Sequence, residues 1–115
     1  MLHFQSPVLE ISTSFGRTKV HVGRYPQGGA IAIWLTCEGP FGPEPLATFS
    51  TNLVPYGSRL AHDELNVKNW AENESLVAPL MQTGIFQDTG RKTSGGYVQS
   101  PIWRVVDPRF IPPES

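Results

Sequence analysis

The sequence predicts an α+β domain: a curved antiparallel β-sheet of about five to six strands, with one short helix over about residues 75–83 packed on one face. Three observations carry this. Eleven glycines and eleven prolines interrupt 115 residues, which leaves room for short strands and turns but not for long helices. Apolar and polar residues alternate over several short stretches. A single stretch, after residue 73, carries apolar residues at helical spacing.

Taken in order, Val8 to Ile11 and Thr18 to Val22 read as a hairpin turned at Phe15-Gly16-Arg17. Tyr25-Pro26-Gln27-Gly28-Gly29 is the next turn, and Ala30 to Cys37, with Ile31, Ile33 and Leu35 on one face, reads as the central strand. Gly39 to Pro45 holds three prolines that remove ladder donors, so it is expected to be a loop leading to a strand over Leu46 to Leu53. Val54-Pro55-Tyr56-Gly57 turns the chain again, and a short strand falls between Asp63 and Trp70.

The helix is expected to start near Asn73 or Ser75, either of which can cap it, and to end at Gly84. Leu76, Val77, Leu80 and Met81 form its buried stripe, and Pro79 is tolerable near the first turn. A brief strand at Ile85 to Gln87 and a longer one at Tyr97 to Val106 follow, separated by a polar loop from Asp88 to Gly96. Residues 1–107 are read as one domain and 108–115, with Pro108, Pro112 and Pro113, as a tail. No internal repeat or low-complexity tract stands out.

Nine basic and ten acidic side chains leave a net charge of −1, which gives no global field to steer the chain to nucleic acid or anionic lipid. The single cysteine, Cys37, excludes an intramolecular disulfide and multi-cysteine zinc sites, and points to a reducing compartment, the cytoplasm. No stretch reads as a signal peptide or a membrane span. No cofactor or metal site is expected.

Short motifs that resemble catalytic ones have simpler readings. Asp88-Thr89-Gly90 matches the aspartic protease tripeptide, but only 25 residues follow Gly90, where that fold needs most of its sheet. Gly90-Arg91-Lys92-Thr93 lacks the glycine spacing and the following helix of a phosphate-binding loop. His62-Asp63-Glu64 groups an imidazole with two carboxylates, yet adjacent residues rarely converge on one ion, and His3 and His21 are remote. Cys37 has no identifiable base and reads as packing. Arg91, Lys92, Arg104 and Arg109 are too scattered for a nucleic-acid groove. No catalytic residue is assigned.

Trp34 and Trp103 fall in strand patterns, as core or sheet surface. Trp70 lies instead between a polar segment and Glu72-Asn73-Glu74. With Asp63, Glu64, Glu72 and Glu74, relieved by Lys68, it forms an acidic segment containing an aromatic, suited to a basic protein surface. The competing reading is a solvated start to the helix, with its acids matched to the helix dipole.

Leu46 to Leu53, Leu65 to Asn73, Gly84 to Gly90 and Ser94 to Val98, in that order, resemble a family of small proteins of unknown function from phages, plasmids and integrative elements. The resemblance implies an accessory protein of a mobile element, acting in the cytoplasm of its host. It makes a host-defence nuclease or CRISPR effector the expected partner, as for an anti-CRISPR protein. The sequence therefore points to a non-enzymatic protein-binding module contacting its partner through Asp63, Glu64, Trp70, Glu72 and Glu74, without direct nucleic-acid or membrane contact. The alternatives are a small enzyme or ligand-binding domain with its site in the 88–96 loop, and a structural or self-associating phage protein. The sequence sets no oligomeric state.

Overall fold

The computed structural model describes residues 9–95 and 98–113. It is α+β, with eight strands in two antiparallel four-stranded sheets and a short α-helix. The first sheet is a meander of β1 (Leu9–Thr13), β2 (Gly16–Arg24), β3 (Ile31–Gly39) and β4 (Gly42–Thr48). Val20 and Val22 alternate with polar residues along β2, and Ile31, Ile33 and Leu35 share one face of the apolar β3, so pairing Val20 with Leu35 and Val22 with Ile33 sets one apolar face inward. His21 and Trp34, paired on the opposite face, stack with ring centroids 5.6 Å apart.

The second sheet has the order β5 (Ser50–Thr51), β6 (Glu64–Val67), β8 (Val98–Val105), β7 (Phe86–Gly95). The two sheets join at Phe49. Its N–H donates to Ile33 O at 2.9 Å and its carbonyl accepts from Lys68 N at 2.7 Å, so one residue serves both sheets. Its ring is fully buried and packs against Trp103 at 5.2 Å between centroids. Leu65, Val67, Phe86 and Val105 complete the second sheet's contribution to the core.

Residues Ala71–Leu76 form 3-10 turns that lead into α1 (Val77–Met81), which packs beside β1 and closes the core with Leu76 and Leu80. Neither predicted cap acts as one: Asn73 is fully buried and its amide donates to Thr48 O and Lys68 O. The helix is therefore shorter than the apolar stripe suggests.

Three further differences from the sequence reading have physical causes. The proline segment from Pro43 to Pro45 lies in β4, because β4 is an edge strand and a missing N–H on its free side costs nothing. The polar stretch from Asp88 is strand rather than loop. β7 is the other sheet's edge, exposed on both faces through most of its length, with a register shift between Asp88 and Lys92. Residues 108–113 are docked rather than trailing. Phe110 is buried in the core, Asp107 caps the 3-10 turn Pro108–Phe110, and the hydrogen-bonded Arg109 holds the Asp107 carboxyl below its usual range.

Candidate functional site

The segment around Trp70 is built differently from the open acidic patch that the sequence suggests. Glu64 begins β6 with its side chain only 3% exposed. Its Oε1 accepts from Ala61 N at 2.8 Å, and its Oε2 pairs with Arg91 and, at 3.4 Å, with Arg104. Arg104 faces Glu64 across the β6–β8 ladder, while the bulge in β7 carries Arg91 over to the same carboxylate. Asp63 lies 3.4 Å from Arg104 Nε, an ion pair too poorly aligned for a hydrogen bond. Two predicted contact acids are thus matched by two arginines within the fold, and Glu64 has no surface to offer.

Trp70 is half-buried and Glu74 is exposed. Glu72 lies in the 3-10 segment, its side chain outside the described residues. His62 is exposed and turned away from the acid pair as a lining residue of a separate recess. Among the described residues, no cluster of three metal-ligating side chains is present.

The segment expected to be a ligand-binding loop borders a shallow recess of about 300 Å³, lined by Asn69, Asp88, Arg91, Lys92 and Gln99 among others. Its charged groups already have partners. The Asp88 carboxylate accepts from Gly90 N, Arg91 pairs with Glu64, and Lys92 donates to Gln99 Oε1. Asp-Thr-Gly here makes a bulge: Thr89 Oγ1 donates to Ile102 O at 2.7 Å, and Gly90 takes a φ of +80°.

At the far end of the first sheet stands a pair of aromatic residues that strand and charge patterns pass over. β1–β2 and β3–β4 are hairpins of the same meander, so their turns lie at one end of it. Both turns have two residues and the second is phenylalanine: Ser14-Phe15 before Gly16, and Pro40-Phe41 before Gly42. Both glycines have positive φ, +93° and +115°. Phe15 is 50% exposed and Phe41 100% exposed. Two inter-strand spacings separate the hairpins, about 10 Å.

The tips are braced. Thr13 Oγ1 accepts from Phe15 N and meets Thr18 Oγ1 at 3.0 Å, while Pro40 fixes its own φ in the second turn. Charges nearby cancel across strands, Arg17 with Glu10 at 4.0 Å and Lys19 with Glu38 at 3.8 Å. The repeated Phe-Gly is visible in the sequence, but only pairing shows that its two copies stand side by side.

No family model, curated protein or solved structure matches the chain.

Proposed function

We propose that the chain is a non-enzymatic protein-binding module that docks Phe15 and Phe41 into a neutral, apolar recess of its partner. The observation that carries this is the fully exposed Phe41 beside the half-exposed Phe15, at matching turn positions of two adjacent hairpins. Burying the fully exposed Phe41 ring is worth about 1.5–3 kcal/mol, and the half-exposed Phe15 roughly half of that. Braced turns reduce the backbone freedom lost on docking, which leaves more of that burial as affinity. The paired charges around them, with Glu44 as an added acid beside the second turn, suit an apolar recess better than a phosphate backbone.

The resemblance to mobile-element proteins supplies the setting we propose: the host cytoplasm, and a host-defence nuclease or CRISPR effector as partner. Trp70 and Glu74 then form a secondary contact at most, since Asp63 and Glu64 are paired inside. Self-association by strand addition is opposed at the β4 edge by Pro43 and Pro45 and at the β7 edge by the bulge with Arg91 and Lys92.

The test uses the whole chain as bait in lysate of a CRISPR-bearing host, beside the Phe15→Ser/Phe41→Ser and Glu72→Gln/Glu74→Gln variants. Both variants should keep the wild-type melting profile. The expected result is a stoichiometric partner retained by the acid variant and lost with the phenylalanine variant. Equal capture by the phenylalanine variant, or loss with the acid variant alone, overturns the docking surface proposed.

A further inference from the structure

At the opposite end of the first sheet, the β2–β3 turn and the segment before β6 enclose a recess of about 310 Å³. Its lining includes Arg24, Arg59 and His62, together with Gly28 and Gly29, and contains no aspartate or glutamate. That imbalance is unusual in a chain with more acids than bases. Arg24 ends β2, and its guanidinium is held by carbonyls only: Nε and Nη2 donate to Pro112 O, Nη1 to Gly29 O, and Nη2 also to His62 O. Those contacts fix the group in place without neutralising it. Of the five N–H donors of a guanidinium, one on Nη1 is left over.

Arg59 is exposed and, among the described residues, has neither an ion-pair nor a hydrogen-bond partner on its side chain. His62 is likewise exposed. The turn opposite comes close because it is glycine: Gly28, at φ +84°, packs so tightly on Val54 that a Cβ would lie 2.6 Å from Cγ1. Among the described residues, the recess therefore combines a fixed guanidinium, an exposed one and an imidazole, with no carboxylate in its lining to offset their charge.

We propose that this recess binds a phosphate monoester, with Arg24 as the fixed donor, Arg59 closing on the anion from solvent, and His62 beside it. Arg24 offers its one remaining Nη1 N–H, while the unpaired planar fork of Arg59 matches two phosphate oxygens. A volume near the lower end of ligand pockets leaves space for a small group esterified to the phosphate. This site is independent of the phenylalanine tips, which lie at the other end of the meander.

The experiment is an NMR and calorimetric titration of the full chain with inorganic phosphate and, separately, with a nucleoside monophosphate, at constant ionic strength against chloride. Wild type is expected to show saturable binding, with amide shifts confined to residues 24–30 and 58–62. Arg59→Ala and His62→Ala, both of exposed residues, should keep the fold, and Arg59→Ala should weaken binding about tenfold, the loss of one charge-assisted contact. Tighter binding of the nucleotide than of phosphate identifies a monoester ligand; equal binding assigns the site to the phosphate group alone. Shifts spread over the whole surface, no saturation with either compound, or an unchanged affinity in Arg59→Ala overturns the proposal.

Discussion

Glu64 shows how one side chain can decide the meaning of a segment. Its carboxylate is buried, yet each of its arginine partners remains about half exposed: Arg91 53% and Arg104 43%. Removing the charge therefore leaves Arg91 to water and Arg104 to Asp63, its remaining partner, rather than stranding two buried cations. Glu64→Gln, which keeps the acceptor for Ala61 N, should cost about 2 kcal/mol in urea unfolding, less than the roughly 3–5 kcal/mol of a fully enclosed pair. A loss of under about 0.5 kcal/mol would mean that the arginines add nothing beyond an exposed pair. None of this was legible in the run of acids from Asp63 to Glu74. Both arginines arrive from strands distant in sequence, and Arg91 reaches only because β7 bulges. Trp103, by contrast, was legible as strand or core, since it sits in an alternating apolar run with a long partner strand.

At the scale of elements, legibility follows position in the sheet. β2 and β3 pair on both sides and bury one face, so their alternation states what they are. The edge strands β4 and β7 need no such pattern, and prolines or polar residues there look like loop. The α1 helix was legible from Leu76, Val77 and Leu80, but not its limits, because Asn73 is drawn inward to the carbonyls of Thr48 and Lys68. Turns add a test of their own. Gly28→Ala combines a left-handed backbone with a clash on Val54, whereas Gly42→Ala has the positive φ with nothing within 4 Å. Thermal unfolding should show a loss of about 1 kcal/mol at Gly42 and roughly double that at Gly28. Equal losses would show that the Val54 contact relaxes freely.

At the scale of the molecule, the C-terminal segment is part of the structure. Phe110 is 3% exposed and Pro112 supplies the carbonyl that two nitrogens of Arg24 share. Truncation after Asp107, the boundary that the prolines suggest, should lower unfolding free energy by about 3 kcal/mol or more, as for deletion of a buried aromatic. A truncated chain as stable as the intact one would return residues 108–113 to the status of a tail. Among the described residues, no helix is long and apolar enough to cross a bilayer.

The corner at Phe49 also sets an order of assembly. The meander's strands are consecutive in sequence, so their pairing closes short loops and can proceed quickly. The second sheet must wait for β8 to reach β6, from Ile102 back to Asn66. Until then the inner face of Val20, Val22, Ile33 and Leu35 has formed with nothing against it. A meander that forms first would present that apolar face to other chains, so yield on refolding should fall with protein concentration while native stability stays constant.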